Sequence, residues 1–107
     1  MKIERYGVYY ADLNPTQGSE LDKIRPVVVI SQSEMNKYLE TIVVCLLTTK
    51  LHPKWRSRIQ FKCKGRPSEI AVDQIRTISK SRIRTLIDRL DSSTAMALRC
   101  LITEMYG

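Results

Sequence analysis

Residues able to do chemistry are unevenly spread along this chain, and the cations dominate. From Thr41 through Ser68 there is no Asp or Glu, whereas Lys50, Lys54, Arg56, Arg58, Lys62, Lys64 and Arg66 all fall there. Arg76, Lys80, Arg82 and Arg84 form a second cluster. Eighteen Lys and Arg against eleven Asp and Glu leave a formal charge of +7 on 107 residues. The expected partner is therefore a polyanion, whose counterions are released on binding so that affinity falls with salt. RNA, DNA and an acidic protein all fit that charge. Trp55 lies inside the first cluster, where an indole can stack on a base or pack inward beneath a solvated basic face.

The remaining reactive side chains exclude more than they supply. His52 is the only histidine, so one chain cannot assemble a two-imidazole acid and base pair. No two Cys or His residues have the short spacing of a zinc site, and neither a metal nor a cofactor is expected. Cys45, Cys63 and Cys100 are odd in number and widely spaced, which suits buried small hydrophobes better than a disulfide framework. The longest apolar run, Ile42 to Leu47, is far short of the roughly 20 residues that span a bilayer. Lys2, Glu4 and Arg5 occupy the place of a secretory signal's apolar segment. The expected compartment is the cytoplasm, with no membrane partner.

These side chains must be positioned by short elements in a chain with one domain's worth of residues, 1–107. Val8 to Asp12 reads as a strand, followed by a loop from Asn14 to Ile24 marked by Pro15 and Gly18. Pro26 is expected as the first residue of the β-branched strand Val27–Ile30, which places Arg25 at a strand mouth. A helical turn over 33–39 precedes a buried strand, 41–49, that ends in Thr48, Thr49 and Lys50. Between Arg56 and Lys64 the alternation puts Ile59, Phe61 and Cys63 on one face and Arg58, Gln60, Lys62 and Lys64 on a solvated basic face. Gly65 to Ser68 reads as a turn and Glu69 to Ile75 as a strand, with Ile70 and Val72 inward and Asp73 opposite. Arg84 to Leu90 favours a last strand. Asp91 or Ser92 can cap a helix whose stripe is Leu98, Leu101, Ile102 and Met105. The pattern predicts a mainly β fold, a small twisted sheet or partly open barrel covered by the terminal helix. A chain this short is also a candidate for added stability through dimerisation.

Four segments, in order, resemble the MazF/PemK (Kid) toxins of bacterial type II toxin-antitoxin systems. They are V-Y-Y-A-D-L-N-P-T-Q-G-S-E at Val8–Glu20, R-P-V-V-V-I-S at Arg25–Ser31, L-L-T-T-K at Leu46–Lys50 and D-Q-I-R-T-I-S-K-S-R at Asp73–Arg82. The resemblance implies an SH3-like small β-barrel of the CcdB/MazF/Kid type with a C-terminal helix. It further implies a homodimer and a metal-independent endoribonuclease acting on single-stranded RNA, with the ribose 2'-OH attacking the adjacent phosphorus to leave a 2',3'-cyclic phosphate and a 5'-OH. Residue by residue, it assigns catalysis to Arg25 and Thr48. A guanidinium fork suits phosphate oxygens, and a hydroxyl can hold a phosphate oxygen or orient the 2'-OH.

The PemK/Kid branch links the aspartate of its D-Q-x-R-T motif to catalysis, which makes Asp73 a candidate; that branch's basic partner two residues earlier is Ala71 here. Glu20 is a candidate for contacting a base or the 2'-OH, and Ser19, Thr49, Lys50, Gln74 and Arg76 are candidates for holding RNA. The family commonly reads R-G-D-V-Y where this chain reads Arg5-Tyr6-Gly7-Val8-Tyr9, a departure expected to alter a strand edge or an antitoxin contact. An acidic antitoxin of the MazE/PemI kind is the implied partner, covering the basic groove. Two other functions compete: a gyrase poison like CcdB, which shares the fold, and a non-catalytic RNA-binding barrel. The Arg25 and Thr48 matches argue against the first, and metal-free cleavage would separate the second.

Overall fold

The two most apolar runs of the chain form the middle of the sheet, because only a strand with neighbours on both edges can satisfy its backbone while its side chains are buried. The computed structural model describes residues 2–13 and 24–107. Its elements are β1 (Gly7–Asp12), β2 (Ile24–Val29), α1 (Ser33–Tyr38), β3 (Thr41–Thr48), β4 (Arg58–Cys63), β5 (Arg66–Ser79), β6 (Ile83–Arg89) and α2 (Ser92–Tyr106), with a 3-10 turn at Lys80–Arg82. The strands form one antiparallel sheet in the order β4-β5-β3-β2-β1-β6. The sheet curls into a half-barrel. Its two edge strands approach at one end, where the Lys64 backbone N–H donates to Asp88 Oδ2 at 2.9 Å.

Alternation gives the sheet two apolar faces. One carries Val8, Val28, Cys45, Leu47, Ile70 and Val72 and is covered by α2 through the fully buried Leu98, flanked by Leu101 and Ile102. The other carries Tyr9, Ala11, Val27, Val29, Ile42 and Val44, closed at one end by Ile3, Ile78 and Ile83. Helix α2 starts at Asp91, whose carboxylate accepts the hydroxyls of Ser93 and Thr94. Those two bonds hold the Asp91 carboxyl down at about 2.

Several sequence expectations need correction. β2 begins at Ile24, not at Pro26. Pro26 is tolerated within the strand because β3 pairs with β2 only from Val27 onward, so one side of the strand is open at the proline. The turn expected over Gly65–Ser68 shrinks to Lys64 and Gly65, with φ of 52° and 80°. Positive φ at both central residues is the geometry of a two-residue hairpin, which lets β5 start at Arg66 and run for 14 residues. Met105 leaves the buried stripe of α2 and is exposed, as is Cys100, whereas Cys45 is buried. Burial, with the Asp73 charge adding to it, pushes the Cys45 thiol up to about 12, so it behaves as a small hydrophobe.

The departure at Tyr6-Gly7 has a packing cause. A β-carbon at Gly7 would lie 2.7 Å from Cε1 of Tyr9, whose hydroxyl accepts the Glu4 backbone N–H at 3.0 Å. The side chain that the family commonly places here has no room. Tyr6 takes φ of 69°, a conformation that costs a non-glycine residue about 1–2 kcal/mol. Its backbone N–H donates to the Val29 carbonyl and its carbonyl accepts from Leu90, while its ring packs under the Arg5 guanidinium. Among the described residues its buried hydroxyl has no partner.

Tyr6→Phe keeps the ring and removes that orphaned hydroxyl, so urea unfolding is expected to show it equal to the parent or up to about 1 kcal/mol more stable. Gly7→Ala is expected to lower stability by about 1–3 kcal/mol through overpacking against Tyr9.

Candidate active site

A single cross-strand row carries the candidate chemistry. Thr48 pairs with Glu69, and Glu69 with Gln60. Arg25 lies two residues beyond Val27↔Leu46, the last pair between β2 and β3, with the alternation of Val27. Directly opposed residues share a face, so Thr48, Glu69 and Gln60 line up across three strands on the face that α2 leaves uncovered, and Arg25 stands past the end of the β2–β3 ladder beside Thr48.

Two hollows meet at this row. The larger, about 640 Å³, lies at the mouth of the half-barrel and is lined by Arg25, Thr48, Thr49, Lys50, Lys64 and Arg66, with Tyr10, Cys63 and Ile87 among its apolar walls. The smaller, about 180 Å³, is lined by Arg25, Thr48, Lys50, His52, Arg58 and Gln74, with Leu46 and Ala71. Arg25, Thr48 and Lys50 line both. No described carboxylate lines either hollow, and among the described residues Arg25, Lys50 and Arg66 enter no ion pair. Their charge is therefore available to a bound anion. Thr48 Oγ1 accepts the Lys50 backbone N–H at 3.0 Å, which leaves the hydroxyl proton free to donate.

Beneath the row lies an ionic network that the sequence pattern does not reveal. The Glu69 side chain is fully buried, yet its oxygens accept three bonds: from Arg58 Nη1 at 3.0 Å, Gln60 Nε2 at 2.8 Å and the His52 backbone N–H at 2.8 Å. Desolvation pushes the Glu69 carboxyl up, but those bonds outweigh it and hold the group below its ordinary value. Arg58 was expected on the solvated face of β4; instead its side chain is only 7% exposed. Its Nε donates to Asp73 Oδ1 at 3.0 Å, and Ser57 Oγ donates to the same oxygen at 2.8 Å. Asp73 is likewise held below its ordinary value, desolvation being outweighed by Ser57 and Arg58.

An irregularity in β5 makes this geometry. Cys45 pairs with Ile75 but Leu46 pairs with Ala71, so Val72, Asp73 and Gln74 bulge from the ladder. Bulges re-aim side chains: Asp73 meets Arg58 and Ser57, Gln74 lines the smaller hollow, and the Val72 N–H finds the Ser57 carbonyl at 3.0 Å.

Of the residues singled out in the sequence, Arg25, Thr48, Thr49, Lys50 and Gln74 come together at the hollows. Asp73 stands behind them on Arg58, Arg76 lines neither hollow, and Ser19 and Glu20 lie outside the described residues. Sequence reasoning missed Glu69, Gln60 and Ser57. One signal was present, since Glu69 is the first carboxylate after the acid-free stretch and so has an unusually cationic neighbourhood. Trp55 is half exposed rather than packed inward. Among the described residues no helix is long and apolar enough to cross a membrane.

Residues 4–106 match the family described as PemK-like, MazF-like toxin of type II toxin-antitoxin system. A curated relative, endoribonuclease MazF of Staphylococcus epidermidis, is 36% identical over 96 residues, covering 85% of this chain and 80% of that one. Among solved structures, the Mycobacterium tuberculosis toxin MazF-mt6 superposes with a TM-score of 0.77 at 21% identity, over 94% of this chain and 95% of that one. A mycobacterial endoribonuclease in complex with its cognate antitoxin gives 0.78 at 19% identity, over 96% and 94%. At these identities the structural likenesses establish the fold, a curled β-sheet with a C-terminal helix.

Arg58→Met would leave Glu69 buried without its cation, and urea unfolding is expected to show a loss of about 3–5 kcal/mol. Because the folded-state value of Glu69 lies below its ordinary 4.5, its contribution is complete above that pH and lost as pH falls through the lowered value. Acid titration of stability should therefore be steeper in the parent than in Glu69→Gln.

Proposed function

The chain belongs to the PemK-like, MazF-like toxins of type II toxin-antitoxin systems, and from that premise we propose that it is a metal-independent endoribonuclease. It cuts single-stranded messenger RNA at a short recognition sequence and so arrests translation and growth. The observation that carries this reading is that Arg25 and Thr48, from neighbouring strands, both line both hollows. The name of the Staphylococcus epidermidis relative, an endoribonuclease, supports the same reaction class.

In the proposed reaction the ribose 2'-oxygen bonds to the adjacent phosphorus and the bond from phosphorus to the 5'-oxygen breaks. The products are a 2',3'-cyclic phosphate and a 5'-OH, the proton lost by the 2'-OH being balanced by one gained at the leaving oxygen. Negative charge grows on the non-bridging oxygens, where two N–H groups of Arg25 stabilise it more strongly in the pentacoordinate state than in the substrate. The free hydroxyl proton of Thr48 holds a phosphate oxygen and sets the in-line geometry. Asp73 and Glu20 are the carboxylates proposed to orient the 2'-OH or accept its proton. Ser19, Thr49, Lys50, Gln74 and Arg76 bind the strand, with cations on phosphates and amides on base edges.

As a toxin of this family the chain is paired with an antitoxin. We propose that an acidic segment of that partner neutralises the cations of the larger hollow and excludes RNA, and that the chain works in the cytoplasm as a homodimer.

The test is cleavage of a long unstructured RNA in excess EDTA, with cut sites and end chemistry mapped together. Arg25 is exposed and unpaired among the described residues, so Arg25→Ala should fold normally while cleaving slower by about 10² or more. Cuts at one short sequence with 5'-OH ends are expected. Intact RNA with the folded parent, or unchanged turnover in Arg25→Ala, would sink the mechanism.

A further inference from the structure

Next to the proposed catalytic row is an aromatic surface that the reaction does not use. His52 and Trp55 are stacked face to face, ring centroids 3.9 Å apart and planes within 8°. The guanidinium carbon of Arg58 lies 4.6 Å from the centroid of the Trp55 ring. Exposed aromatic pairs on a connection would ordinarily be free to swing. This one is fixed from below, because the His52 backbone N–H is held by Glu69, the Trp55 backbone N–H by the His52 carbonyl at 2.9 Å, and Arg58 by both Glu69 and Asp73. Trp55 nevertheless stays 49% exposed, although a large apolar ring gains by burial.

One member of the pair also stands at the proposed catalytic row. His52 lines the smaller hollow together with Arg25 and Thr48. That hollow, about 180 Å³, is well under the ~300 Å³ at which pockets for drug-sized ligands begin, so it suits a single ring system rather than a whole nucleotide. A phosphate at Arg25 and a base at His52 would then share one hollow.

Since the indole has His52 on one face and Arg58 on the other, we infer that the outer face of His52, backed by Trp55 and Arg58, is a stacking platform for one unpaired base of the RNA adjacent to the scissile phosphate. The ligand is a nucleobase recognised by its π-face, with Gln74 positioned to bond its edge. The buried ion pairs thus serve substrate binding as well as stability, since Arg58 fixes the indole and draws charge through a cation–π contact. The inference takes RNA as the polymer from the function proposed above, but it does not require cleavage.

Trp55 is the only tryptophan in the chain and stacks on His52, so its emission reports on changes at the platform. Short mixed-sequence 2'-O-methyl oligoribonucleotides cannot be cut through the 2'-oxygen and serve as the probe, with dye anisotropy measuring binding in parallel. Quenching of Trp55 emission along the binding curve is expected, and an abasic strand of equal length and charge should bind without quenching. His52→Ala should weaken binding by about 5- to 150-fold, with His52→Phe recovering part of it. Binding by anisotropy with unchanged Trp55 emission and equal affinity of folded His52→Ala overturns the platform and leaves the ribonuclease reading standing. Absence of any anisotropy change with RNA overturns both.

Discussion

A carboxylate buried among strands is the constraint around which this molecule is arranged. Glu69 has no contact with solvent, and an ionised carboxylate there is tolerable only if it is paired and both its oxygens are hydrogen-bonded. Arg58 and Gln60 from β4 and the His52 backbone supply the matches. Two segments are thereby tied to one residue of β5, so the edge strand and the connection before it hold fixed relative positions. Arg58 passes the constraint onward to Asp73 and Trp55.

That internal pairing also sets the charge of the surface. Glu69 and Asp73 are consumed by Arg58, and Asp12, Glu4 and Glu104 pair with Arg84, Arg89 and Arg56 at other places on the surface. The mouth of the half-barrel is left with Arg25, Lys50, Lys64 and Arg66 and no described carboxylate. The resulting field falls at the end of the sheet where Arg25 and Thr48 stand, beside walls that include Leu47, Cys63 and Ile87 of the face α2 covers.

Besides Lys64 in its hairpin turn, one more described non-glycine residue has left-handed backbone, and it lies away from the mouth. Tyr6 adopts a left-handed backbone so that its N–H and carbonyl can bridge β2 and the approach to α2, and Gly7 yields space to the Tyr9 ring. These contacts anchor the N-terminal segment to the sheet. They lie away from the row of Arg25 and Thr48, which fits a departure from the family's pattern that changes local packing and leaves the proposed chemistry alone.

Much of the fold was legible in the sequence because it rests on local rules: β-branched runs for β2 and β3, alternation for β4, and a stripe at helical spacing for α2. Motif residues at strand ends likewise marked Arg25 and Thr48. The buried Arg58 was not legible, since period-two alternation assigns a side chain to a face but cannot say whether a partner strand brings a carboxylate to cover it. The bulge at Val72–Gln74 escaped for the same reason, as nothing in a run of strand formers announces where the ladder slips. Charge, composition and strand-end chemistry were thus determined by the sequence alone. Which cations face solvent and which are spent on buried carboxylates was decided only by the tertiary structure, because desolvation depends on neighbours distant along the chain.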